Sequence, residues 1–161
     1  MTLTELQKTQ INNSNAAMQR AQVGTLLGNL ESGAAGILRK ITQTVAYSAF
    51  TDGGGASGTF TLTEGSIPAG ATVLFSAVTA ITGFTGDTSA VITIGDGTDA
   101  DRYNTGTPSV FTTAANGISV GAPSGVQYHA AAKNVVLTVT SATDFGAVSA
   151  GSVTVSIYYL A

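Results

Sequence analysis

The run Ala150-Gly151-Ser152-Val153-Thr154-Val155-Ser156-Ile157-Tyr158-Tyr159-Leu160-Ala161 decides the fold class. From Val153 to Tyr159 every second residue is apolar and the residues between are Thr, Ser and Tyr. Side chains of a strand point alternately to opposite faces, so this pattern describes a strand with one buried face. The residues after Ile157 are apolar on both faces, which suits a strand set between packed layers or at a subunit interface. Val135, Leu137 and Val139 repeat the pattern, with Val136, Thr138 and Thr140 on the opposite face.

Working towards the N-terminus, the same period recurs between turn signals. Ile41, Gln43, Val45, Tyr47 and Ala49 share a face, and Gly53-Gly54-Gly55 closes that strand. Phe60 and Leu62 alternate with Thr59, Thr61 and Thr63, and Ile67-Pro68-Ala69-Gly70 then reads as a turn. Val73, Phe75 and Ala77 are expected to face one way, and Leu74, Ser76 and Val78 the other. Val91-Ile92-Thr93-Ile94 precedes a Gly95-Asp96-Gly97 turn, and weaker segments lie near Val110-Phe111, Ile118 to Val120 and Gln127 to Ala130. Roughly seven to nine strands with no helical period between them predict a mainly β body, an antiparallel β-sandwich of jelly-roll-like design.

Residues 1–40 differ in character and are expected to form a partly helical N-terminal arm serving docking or assembly, with the β-sandwich body at 41–161. Thr2 and Glu5 have capping-box spacing, and Leu3 and Leu6 lie one turn apart. Asn12-Asn13-Ser14-Asn15 interrupts that segment, and Ser14 or Asn15 can cap a second one running through Met18, Ala21 and Leu26 to Leu30. Gly24, Gly28, Gly33 and Gly36 weaken it by about 1 kcal/mol for each interior position. Such an arm becomes ordered by lying on something else.

Charge is scarce: 9% of the 161 residues are charged, against about 25% in an average soluble domain. The arm holds Lys8, Arg20, Arg39 and Lys40 against Glu5 and Glu31, whereas the body holds seven acids against Arg102 and Lys133. A net charge of −3 argues against nucleic acid as the partner, since phosphate binding needs clustered bases. The apolar runs are far shorter than the roughly 20 residues of a membrane span, so no membrane contact is expected. The N-terminus lacks a basic stretch leading into an apolar one and so does not read as a secretory signal. The absence of cysteine excludes disulfides and thiolate chemistry and fits assembly in a reducing cytoplasm.

Candidate chemistry is thin. Asp96, Asp99 and Asp101 fall within six residues, as in a calcium loop, but the spacing fails the EF-hand pattern and no Glu closes a twelve-residue loop. A turn in which Arg102 neutralises Asp99 or Asp101 is the preferred reading. His129 is the only histidine. A Ser124/His129/Asp144 site lacks the Gly-x-Ser-x-Gly elbow, so His129 is expected to be a packed or hydrogen-bonded residue. Gly53-Gly54-Gly55 lacks the Lys-Ser/Thr of a phosphate loop. The aromatic residues Tyr47, Phe60, Phe75, Phe84, Tyr103, Phe111, Tyr128, Phe145, Tyr158 and Tyr159 are expected to pack the core. No catalytic residue, cofactor or metal site is expected.

Three stretches resemble a family of small tailed-bacteriophage virion proteins: Ile67-Pro68-Ala69-Gly70-Ala71, Val91 through Tyr103, and Ala150 through Tyr159. The resemblance covers roughly the last hundred residues and implies a virion structural protein, similar to capsid decoration (cement) proteins that sit on the outer shell, often as a homotrimer. It implies the major capsid protein or other virion subunits as partners. The alternative is a receptor- or glycan-binding module of a fibre or tail, which needs exposed aromatics and clustered polar groups on one loop surface, such as Tyr103 with Asp99 and Asp101. A small hydrolase built on His129 is the third reading.

Overall fold

The computed structural model describes residues 37–112, 119–124 and 128–161. The expected arm helices and the segment ends at Ile118 and Gln127 lie outside the described residues. Among the described residues the strands are β1 (Leu38–Ala46), β2 (Thr51–Asp52), β3 (Ser57–Thr61), β4 (Thr72–Thr85), β5 (Ala90–Gly95), β6 (Ser119–Gly121), β7 (Val136–Ser141) and β8 (Ala150–Leu160). Short 3-10 turns occupy Tyr47–Ala49 and Phe145–Ala147.

The strands form two four-stranded sheets, ordered β1-β8-β4-β6 and β2-β3-β7-β5, and every named pairing is antiparallel. Beyond β5, Ser109 bridges Val91, and the backbones of Pro108 and Val110 bond Ile92 and Ala90. The mainly β, antiparallel expectation therefore holds. β1 begins at Leu38, so Arg39 and Lys40 are strand residues opposite Tyr159 and Tyr158.

The core lies between the sheets and follows the period-2 pattern. Ile41 and Val45 of β1, Val153, Val155 and Ile157 of β8, Ile92 and Ile94 of β5, and Leu137 and Val139 of β7 are all buried in one cluster. Burying each large aliphatic side chain contributes about 1.5–3 kcal/mol. Four phenylalanines close one end: Phe50 packs on Phe60, Phe84 and Phe145 with ring centroids 5.9, 6.1 and 5.9 Å away. Phe50 falls outside any clean strand alternation, which is why the sequence pattern passes over it.

β4 departs from its expected alternation. Val73 pairs with Tyr159 and Phe75 with Tyr158, so Leu74 has no counterpart, and further register shifts fall between Thr79 and Thr82 and between Thr82 and Thr85. The bulge at Leu74 resets the alternation. Val73, Ser76 and Val78 are fully buried, while Phe75 lies over Tyr158 on the opposite face, stacked at 4.4 Å. The buried hydroxyl of Ser76 donates to the Tyr103 carbonyl at 2.8 Å, which removes the cost of an unpaired polar group.

Candidate functional site

The chemistry of the described body gathers where β5 ends. Gly95 opens the loop because the Asp99 carbonyl lies where its Cβ would stand. With that carbonyl folded back, the Asp96 N–H donates to it at 3.1 Å. The carboxylate of Asp96 in turn accepts the N–H groups of Thr98 and Asp99 on Oδ1, both at 3.0 Å. An aspartate that caps its own turn is ordinary loop chemistry; the position of Oδ2 is not. The Asp96 side chain is only 1% exposed, and Oδ2 faces Arg102 Nε at 3.0 Å and Lys133 Nζ at 3.4 Å.

Burial alone would raise the Asp96 carboxyl, but the two backbone donors, Arg102 and Lys133 outweigh it and hold it below 3.8. Arg102 also reaches Asp99, at 3.8 Å. Asp99 lies against Asp101, whose carboxyl is raised by that shared hydrogen bond and by like charge. Arg102 therefore does pair within the loop as expected, but its closer partner is Asp96. The three acids do not converge as ligands: Asp96 turns inward, and among the described residues no group of three or more His, Asp or Glu is placed to hold a metal ion.

The segment Tyr128 to Lys133 runs beside this loop. Ile67 and Lys133 exchange backbone hydrogen bonds, and the Gly70 N–H donates to the His129 carbonyl at 2.8 Å. Two of the stretches that carry the family resemblance, the Ile67–Ala71 turn and the Gly95–Tyr103 loop, thus meet across Tyr128 to Lys133. His129 is 5% exposed, with Nε2 3.2 Å from the Tyr103 hydroxyl and the two rings edge to face. Burial, and then the charge of Arg102, lower the His129 pKa below 6.5. Burial and the negative charge of Asp96 push Tyr103 up to about 12. The histidine is packed and hydrogen-bonded, as its solitary occurrence suggested.

Ser124 and Asp144 do not join it. Ser124 donates its N–H to Arg102 O and its hydroxyl to Asp101 O, at 2.7 and 3.2 Å. Asp144 caps the second 3-10 turn by accepting the Gly146 N–H. The glycan surface proposed around Tyr103 also fails, because that ring is fully buried.

Over Asp96 the surface forms an open recess of about 370 Å³, lined by Asp96, Arg102, Tyr128, His129, Ala130, Ala131 and Lys133. Sequence reading missed Lys133, which lies 37 positions from Asp96 and carries no local motif. Only the pairing of Ile67 with Lys133 brings it there.

No family model matches the chain, and no curated protein matches it. Among solved structures, a chain of the cyanophage Pam1 capsid asymmetric unit superposes with a TM-score of 0.57 and 19% identity, over 80% of this chain and 87% of that one. A chain of the acid-stable capsid of Helicobacter pylori bacteriophage KHP30 gives a TM-score of 0.47 and 16% identity, over 78% and 94%. The body therefore shares its fold with a chain of the Pam1 capsid.

Proposed function

We propose that this chain is a structural protein of a phage virion, a decoration or cement protein that binds the outside of the head and stabilises it through protein–protein contacts. The observation that carries the reading is the fold shared with a chain of the Pam1 capsid over 80% of the length, reached independently of the sequence resemblance. The body's chemistry supports it. Asp96, Arg102, Tyr103 and His129 are engaged in pairing and packing, while most remaining polar groups are hydroxyls.

The strand order supports a jelly-roll assignment of the body. One sheet runs β1-β8-β4-β6, and the other sets β3, β7 and β5 beside the Ser109 bridge. That alternation of strands between sheets matches two interlocked Greek keys.

A cement protein adds contact area to the assembled shell and stabilises that state by mass action. The face of β1, β8 and β4 turned away from the core suits such contact. Thr42, Thr44, Thr154 and Ser156 form cross-strand hydroxyl pairs at 2.9 and 2.8 Å, and the Phe75–Tyr158 stack lies at one end with Lys40 Nζ 5.9 Å from the tyrosine ring. Three bodies around a three-fold axis bury such faces symmetrically, and residues 1–36 act as a docking arm on the shell. The test is deletion of residues 1–36, which spares every β1 pairing. Unchanged circular dichroism with lost head binding is the expected result; full occupancy by the truncated chain overturns the arm's role.

A further inference from the structure

We infer that residues 128–134 form a proton-sensitive strap: the segment lifts from the body as a unit, and lifting is coupled to the uptake of a proton by His129. The inference concerns the body alone and stands whether or not the chain decorates a head. Its basis is how the segment is held. From Tyr128 to Asn134, His129 is the sole buried residue, and the others are exposed or half-buried. No strand ladder supports the segment. Isolated bridges of Ile67 with Lys133 and Thr72 with Tyr128 tie it to the body. Ile67 and Lys133 exchange N–H to carbonyl bonds at 2.8 Å, Gly70 donates to His129 O at 2.8 Å, and His129 donates to Ala71 O at 2.9 Å.

The one buried anchor is thus a titratable ring, in a place unsuited to charge. His129 is 5% exposed, and among the described residues its side chain bonds the hydroxyl of Tyr103, itself fully buried. An imidazolium held there loses most of its hydration. The charged groups around the ring do not compensate. Asp96 is engaged by Arg102 and by Lys133 of the segment itself, Asp99 is engaged by Arg102, and Asp101 lies against Asp99. The Ile67–Ala71 turn, to which the segment is bonded, brings no ionisable group.

Burial, and then the charge of Arg102, accordingly hold the closed-state pKa of His129 below 6.5. Once lifted, the ring meets water and titrates near its ordinary value of about 6.5. Opening therefore takes up a proton between those two values, and acid favours the open form. Linkage also bounds the effect, at about tenfold more opening for each pH unit.

The experiment is amide hydrogen exchange of the full chain, followed by ¹H–¹⁵N NMR from about pH 5 to about pH 8, with and without low urea. The amides of Ile67, Gly70, His129 and Lys133 are expected to exchange sooner than those of Leu137 and Val155 in the central strands, and without urea dependence, as local opening requires. Their protection, corrected for intrinsic exchange chemistry, is expected to fall by up to about tenfold per pH unit below about 6.5. His129→Gln is expected to remove that dependence. Should the variant not fold, the ring pKa of His129 in the unsubstituted chain is expected to coincide with the pH at which protection levels off. Strap amides that exchange only together with the core, protection that does not change with pH, an unchanged dependence in His129→Gln, or a ring pKa away from the plateau overturns the inference.

Discussion

Asp96 shows how far a residue's role can exceed its local pattern. Its turn, capped by its own carboxylate, is legible in Gly95-Asp96-Gly97, but its partner Lys133 arrives from a different strand connection. Removing the charge with Asp96→Asn leaves Arg102 and Lys133 without their shared counter-ion. The expected cost is about 2–3 kcal/mol, read as a lower midpoint in urea unfolding. Gly95→Ala drives a methyl group into the Asp99 carbonyl and is expected to cost about 1–3 kcal/mol. His129 makes a separate claim about pH. Its folded pKa is depressed, so the unfolded chain takes up a proton near pH 6.5 that the folded one refuses. The stability involved is fully present above that pH and declines as pH falls below it. His129→Gln should flatten this part of a stability–pH curve. Asp87 governs a lower window: held at about 2 against 3.8 by the N–H groups of Thr143 and Thr88, it stabilises the fold above pH 3.8 and loses that contribution between 3.8 and 2. Asp87→Asn should make the acid limb shallower and leave the histidine window unchanged, while Asp96, also held below 3.8, keeps part of the slope.

At the scale of elements, alternation is sufficient wherever a strand carries no extra residue of its own. β5, β7 and β8 bury the residues their period assigns to the core. β4 broke the rule because a bulge is a property of pairing: Leu74 has no counterpart on β8, and nothing in Val73-Leu74-Phe75 announces it. The expected face of Val73, Phe75 and Ala77 was therefore split. Deleting Leu74 removes the extra residue and leaves Val73 opposite Tyr159 and Phe75 opposite Tyr158, so the deletion variant should keep both faces of β4 and still unfold cooperatively in urea. The Phe75–Tyr158 stack contributes on the order of 0.5–1.5 kcal/mol beyond its buried area, and Phe75→Ala should test that by urea unfolding. Ile157→Ala, beneath the same strand, opens a core cavity and should cost about 2–5 kcal/mol. The contrast between the two variants separates the contact face from the core.

For the whole molecule, scarcity of charge becomes a distribution of charge. All four bases of the described residues lie towards one end of the sheets: Arg39 and Lys40 on β1, with Arg102 and Lys133 around the recess. At the opposite end, the Asp87 carboxylate accepts from Thr143, and Asp144 caps the turn beside Asp52. A body with so few free charges is suited to lie against other protein surfaces, because little desolvation opposes the contact. Composition conveyed that suitability; it could not convey the pairing that assembles the recess, which depends on contacts distant in sequence. Cryo-EM of phage heads lacking this chain, after incubation with the purified full-length protein, tests the central claim most directly. The account predicts density for the β body at regular lattice positions on the outer shell, bridging neighbouring capsomers. Bare heads in the presence of folded, monodisperse protein would contradict it.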